Sequence, residues 1–367
     1  MHEPQYRSGN KKIRPFAQSA QVTARGCSRL LERVLTDFGA DLPYARAMDK
    51  VVEHYGIVIA ESTLRRVTMR HAGQIHKYSQ GAPQGLPNAL TGKQAVIVQT
   101  DGTMVPTVQS STTAGDKRKG KSVQWAEAKV SLAHVAGSKE MSFAATLQGD
   151  VKASAICRAR TSIMMSFAAT LQGDVKLAGK QLRKCARRVG FGKGHRAHGL
   201  GDGAPWIARQ VKENFGQQGS YLVDYFHVCD YLNAAAQGIA KEPSQRQAWL
   251  DQQKTRLKTD ALNALLNELQ ANLESPETPE DMAPVRCCWR YLSQRQDQLD
   301  YASAISQSLP IGSGEIESAH RYLVQKRMKL PGAWWSPENA EHMLALRVCR
   351  ANNEWRSYWS THYRYAA

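Results

Sequence analysis

The spacing of apolar residues changes twice along this chain, from helical to strand-like and back to helical, and that order places it in the α/β class. Leu30, Leu31, Val34 and Leu35 recur as one face of a helix within residues 24–72. A linker rich in Gly and Pro, Gly81 to Pro87, then separates this region from a short β-branched run, AVIVQT at 95–100, which closes on Asp101-Gly102. Residues 123–135 alternate as a second strand, and YLVDYFHV at 221–228 reads as another. Residues 230–305, rich in Gln, Leu, Ala, Lys and Glu, read as helical throughout, with breaks at Pro276 and Pro279. A chain of 367 residues exceeds the ~250–300 that one core comfortably serves, so more than one domain is expected.

The N-terminal helical region has a further pattern. Pro43 suits the first turn of a second helix, His54-Tyr55-Gly56-Ile57 is a turn, and Ser62 can cap a third helix, LRRVTMRH. In that helix Leu64 and Val67 point inward, leaving Arg65, Arg66 and Arg70 available to DNA. Helix, Gly-containing turn and capped basic helix form the arrangement of a helix-turn-helix reader, although a small helical bundle produces the same pattern. Residues 1–22 are polar and basic and read as a flexible arm.

Lys and Arg outnumber Asp and Glu by 49 to 32, a net +17 that points to a polyanion, nucleic acid ahead of an acidic membrane surface. No stretch approaches the ~20 apolar residues of a membrane helix, and the first residues contain no apolar signal core. The expectation is a cytoplasmic, nucleic-acid-associated protein with no membrane partner. Seven cysteines form no CxxC pair and no zinc spacing, so they read as reduced, packed thiols, including the adjacent Cys287 and Cys288 in the helical CCWRYL.

MSFAATLQGDVK occurs at 141–152 and again, unchanged, at 165–176. Solenoid repeats need at least three copies and tolerate divergence, so a single perfect pair reads as a duplication within the coding sequence. The expectation is that 141–164 loops out as an insert. The 165–176 copy would keep the original place, because it runs directly into a basic helix ending at Gly190.

Three acids stand out by their order. Asp101 and Asp202 each precede Gly after an apolar segment, and Glu317 lies on a helix opened by Pro310-Ile311-Gly312-Ser313-Gly314. Turn chemistry explains either Asp-Gly alone, and dipole compensation explains a first-turn Glu. Together, in a basic chain with a candidate DNA reader, they form a set of hard oxygen ligands suited to two Mg²⁺ ions, with Mn²⁺ as a substitute. Glu315, two positions and about 200° around the helix from Glu317, is the rival third acid. Asp116 and Glu127 lack the strand-end setting.

GDGAPWI at 201–207, YLVDYFH at 221–227 and IGSGEIESAHRYLVQKRMKLPGAWW at 311–335 resemble the acidic-triad (DDE) transposases of bacterial insertion sequences, nearest to the ISKra group and related to Mutator-like elements. The resemblance covers most of residues 24–355. It implies an RNase H-like mixed-sheet core at 91–229 and 306–350, an all-helical insertion at 230–305, and an N-terminal helix-turn-helix region at 23–80. It also implies cleavage at transposon ends and joining of the freed 3′-hydroxyl to target DNA by a homo-oligomer on double-stranded DNA. Carried over, Asp101, Asp202 and Glu317 are the catalytic and metal-binding acids, and Ser318 after the Glu favours Glu317. Asp224 and His227 match an accessory Asp-x-x-His motif, with a packed core strand as the alternative. Arg321, Lys326, Arg327 and Lys329 would contact phosphates, and Trp334 and Trp335 would stack on unpaired bases. A DNA-binding regulator, a metal-dependent nuclease without strand transfer, and a copy inactivated by the duplication are the competing readings.

Overall fold

The computed structural model describes residues 4–9, 11–15, 19, 26–81, 94–110, 121–147 and 172–364. The chain divides into two compact units, the first comprising Met1–Pro83, Met104–Ala128 and Arg321–Ala367, the second Gln84–Thr103 and Lys129–His320.

In the first unit, strands β1 (Tyr6–Ser8) and β2 (Lys11–Ile13) pair antiparallel, so part of the expected flexible arm is a hairpin. Three helices follow: α1 (Arg29–Asp41), α2 (Tyr44–Tyr55) and α3 (Glu61–Gly81). Ser28 caps α1 by accepting the Leu31 N–H at 3.3 Å. Gly56 closes α2 at φ +63°, a conformation that costs glycine little. Leu35, Ala47, Val51, Leu64 and Val67 form the core of the three helices. Leu30, expected on the buried face, is exposed, and Ser62 lies one residue inside α3.

The second unit is built on a five-stranded sheet. Its strands are β3 (Ala95–Ser110), β4 (Lys121–Val135), β5 (Met141–Thr146), β6 (Arg196–Gly201) and β7 (Gly219–Val223), in the order β5-β4-β3-β6-β7. Strands β3 and β4 are each shared in sequence between the two units. β4 pairs antiparallel with β5, while β6 pairs parallel with both β3 and β7, so the sheet is mixed. Helices α4 (Gln172–Arg188) and α5 (Pro205–Phe215) cover one face, where Leu182, Cys185, Val211 and Phe215 pack on Val96, Val98 and Ala197. Ile97, Leu200 and Leu222 face the other way, into a larger core shared with α6 (Tyr225–Ile239), α7 (Pro243–Lys258), α8 (Leu262–Ala271), α9 (Pro284–Ser293) and α10 (Tyr301–Ser306). Both faces of the central strands are therefore buried, which explains their continuous apolar runs.

Three expectations change. Strand β3 does not stop at Asp101-Gly102 but runs on to Ser110, because tertiary partners such as Thr107 Oγ1 to Gln124 O at 3.1 Å outweigh the turn preference of Asp-Gly. The strand expected at 221–228 ends at Val223, where the Asp224 carboxylate takes the N–H groups of Phe226 and His227 and starts α6. The repeat is divided differently as well. The expected loop-out of 141–164 fails at its start, because the first copy supplies β5 at Met141–Thr146 and pairs with β4, while the tail of the second opens α4 at Gln172; residues 148–164 lie outside the described ones.

The glutamate comes from the short helix α11 (Gly314–Ala319), which passes into a π-helical stretch, His320–Gln325, then α12 (Lys326–Met328), α13 (Pro337–Ala351) and α14 (Trp355–Arg364). Among the described residues, no helix is long and apolar enough to cross a membrane.

Candidate metal centre

Strands β3 and β6 run side by side in a register that pairs Ala95 with Arg196 through Gln99 with Leu200. Asp101 stands on β3 two residues past the last of these pairs, and Asp202 is the residue that follows the end of β6. Side chains two positions apart on a strand share a face, so Asp101 projects to the side of Ile97 and Gln99. Tyr221, on β7, is touched by both charges. Burial first, and then the carboxylates of Asp202 and Asp101, push its hydroxyl above the usual phenol range.

Asp202 is exposed at the end of β6, and its Oδ1 accepts the Ala204 N–H at 2.8 Å. Its backbone is tied down on three sides. Tyr291 donates its hydroxyl to Asp202 O at 2.6 Å, Arg295 Nε donates to Gly203 O at 3.0 Å, and Gly203 N donates to Tyr221 Oη at 3.1 Å. Gly203 sits at φ +85°, and a Cβ there would lie 2.3 Å from the Tyr291 hydroxyl, so this position needs glycine.

Glu317 and Glu315 part company on α11. Asp101, Glu317 and His320 each offer one ligand atom within 4.8 Å of the others, a group of two carboxylates and one imidazole. Glu315 is engaged elsewhere: its Oε2 accepts from Gln99 Nε2 at 2.6 Å, and its Oε1 lies 3.9 Å from His134 Nε2. Gln99 also accepts the Ile316 N–H at 2.9 Å, so one β3 side chain fixes the start of the helix. Asp202 lies outside the three-residue group.

Asp224 and His227 reach the site indirectly. Asp224 is buried and gives its oxygens to Phe226 N, His227 N, Ser313 N and the Ser313 hydroxyl. This ties the start of α6 to the segment just before the glutamate helix. Tyr225 N bonds Ile311 O at 2.9 Å, and His198 Nε2 bonds Pro310 O at 2.9 Å, holding the same segment. Burial lowers the pKa of His198, partly offset by that bond. His227 packs edge-on against Tyr291 and Tyr231, which stack on each other at 4.0 Å, and so supports the ring that holds Asp202.

The structure corrects two of the expected DNA contacts. Arg327 is buried, donating to Gly39 O at 3.1 Å and lying over the rings of Tyr44 and Trp335. Trp335 is buried too, its indole N–H donated to Met328 O at 3.2 Å and its backbone bridged to Thr107. Both carry packing, the demand that won over exposure. Arg65, Arg66, Arg321, Lys326 and Trp334 are exposed. Lys329 is half-buried, and Arg70 pairs with Glu32. Among the described residues six cysteines are free thiols, Cys287 and Cys288 are both buried, and burial raises the Cys288 pKa. Asp116 lies outside the described residues.

His320 was missed by sequence reasoning. Its signal was available in Glu317-Ser318-Ala319-His320, since residues three apart on a helix share a face. Gln99, Tyr291 and Arg295 carried no comparable signal.

No protein-family profile matches the chain. The chain is similar to a "UPF0236 protein in vanSb 3′region" from Streptococcus gallolyticus, 27% identical over 166 residues. The matched segment is 44% of this chain and 34% of that protein, so the chain spans about a third of its relative's length.

Proposed function

We propose that this chain is a DNA transposase of an insertion sequence, in which Asp101, Asp202 and Glu317 form the catalytic acids. The group of Asp101, Glu317 and His320 supports this reading most directly, because it joins an acid on a central strand to one on α11, and Asp202 follows the strand that pairs with β3. Glu317 reaches Asp101 from α11. A mixed sheet with a helical layer between its last strand and the glutamate helix fits the RNase H-like core and all-helical insertion that the resemblance implies. α1 to α3, with Arg65 and Arg66 exposed, fit a helix-turn-helix reader of double-stranded DNA, and a homo-oligomer would bring two element ends together.

In the proposed reaction water attacks phosphorus at the element end, the P–O3′ bond breaks, and a 3′-hydroxyl is left. That hydroxyl then attacks a target phosphodiester, making one P–O bond as another breaks. Divalent cations such as Mg²⁺ or Mn²⁺, when bound, activate the attacking oxygen and stabilise the leaving one. Asp101 and Glu317 would hold such an ion, Asp202 would complete a shared site, and the turn at Asp202-Gly203 fixes the second carboxylate.

The test uses DNA carrying the ends of the element that encodes the chain. The wild-type protein is expected to nick it in Mg²⁺ and join a supplied 3′-hydroxyl end to plasmid, and Asp202→Asn is expected to do neither. Nicking that persists in Asp202→Asn would sink the triad, and nicking without joining would mark a plain nuclease.

A further inference from the structure

His320 sits where α11 gives way to the π-helical stretch, an irregularity found often at functional sites. The ring is buried and meets Asp101 twice. Its Nε2 lies 3.4 Å from the Asp101 carbonyl oxygen, and its Nδ1 lies 3.7 Å from Asp101 Oδ2. In the tautomer that carries its proton on Nε2, the ring donates to that carbonyl and turns the Nδ1 lone pair toward the carboxylate. An imidazole whose far nitrogen donates to a carbonyl is the usual arrangement of a metal-ligating histidine. On the other side of the ring Nδ1 and the Asp101 carboxylate oxygen lie 3.7 Å apart, and His320, Asp101 and Glu317 each offer one ligand atom within 4.8 Å of the others. Such atoms converge favourably around a cation.

We propose that His320 Nδ1 is a nitrogen ligand of the metal centre, making it a site for a first-row divalent transition ion in preference to Mg²⁺. Carboxylates and water alone suit Mg²⁺, whereas imidazole adds affinity for transition ions and little for Mg²⁺. The inference rests on the reading of Asp101 and Glu317 as ligands and adds to it the identity of the third donor and the class of ion.

The test uses the full chain with Mn²⁺ alone, without DNA. Titration calorimetry is expected to give tighter binding of Mn²⁺ than of Mg²⁺, and pulsed electron paramagnetic resonance is expected to show coupling of Mn²⁺ to an imidazole ¹⁴N. In His320→Gln the nitrogen coupling should vanish and Mn²⁺ affinity fall about tenfold or more, the scale of loss when a metal's surroundings are altered, with Mg²⁺ affinity nearly unchanged. Mn²⁺ bound to the wild-type protein without nitrogen coupling would overturn the inference and leave the acidic site standing, and this readout holds even if His320→Gln fails to fold. Equal loss of both ions in His320→Gln would also overturn it, whereas absence of binding that Asp101→Asn would weaken would remove the acidic site itself.

Discussion

The Asp224 carboxylate accepts the Ser313 N–H at 2.7 Å across 89 residues of chain, and with its other oxygen caps α6 through Phe226 N at 2.6 Å. One buried side chain thus sets the segment from which the glutamate helix departs. The Asp-x-x-His motif noted in the sequence is a brace between the start of α6 and the segment before α11.

Replacing Asp224 with Ala strands the N–H groups of Ser313, Phe226 and His227 in a buried setting. The unfolding free energy should fall by about 3 kcal/mol, measured by urea denaturation. Asp224→Asn, which keeps one acceptor oxygen, should lose less. Equal stability of Asp224→Ala and wild type would remove the brace.

Gly203→Ala forces a side chain to φ +85° and into the Tyr291 hydroxyl. A cost of about 1–3 kcal/mol is expected, with a loss of DNA nicking out of proportion to the loss of fold, because the strained turn carries Asp202. A wild-type nicking rate in this variant would show that the turn does not position the acid.

Arg66 and Arg327 should separate in opposite ways. Arg66→Ala is expected to leave the urea midpoint unchanged while weakening DNA binding and lowering its salt slope by about 1. Arg327→Ala should cost about 2–3 kcal/mol of stability, since its guanidinium binds Gly39 O inside the first unit. The reverse pattern would reinstate Arg327 as a phosphate contact.

Burial lowers the His198 pKa below its ordinary 6.5. Folding therefore favours the neutral ring, and this contribution is fully present above pH 6.5 and is lost as pH falls through 6.5 toward the folded value. Between pH 7 and 5 the urea midpoint of wild type should drop more than that of His198→Gln, whose amide can still donate to Pro310 O. Parallel pH profiles would exclude His198 as the source.

The two copies of MSFAATLQGDVK are identical, so excising any 24 consecutive residues starting between 141 and 153 yields one and the same chain. That chain retains the β5 strand and the α4 helix with a far shorter connection, and loop-closure entropy changes slowly with length, ~0.6 kcal/mol per doubling. Thermal melting should show a folded protein at least as stable as the parent. Failure to fold would mean that the second copy has acquired a role in the core.

The α/β class, the helical N-terminal region and the setting of Asp202 just after a strand were legible in the sequence, because periodicity and Asp-Gly steps are local signals. Locality also limited them. Asp101 lies within a strand rather than at its end because neighbours on β4 and the segment at Trp335 continue the pairing past it, and no window around Asp101 contains those neighbours. Arg327 and Trp335 looked like a DNA-facing pair because charge and aromaticity read the same on a surface and in a core. Burial decided between them. The tertiary structure also brings Glu317 and His320 near Asp101 and turns Glu315 to Gln99. A helix offers every side chain a direction, but only the packing of Gln99 and His134 against one face of α11, and of Asp101 against the other, determines which of those directions meets a ligand.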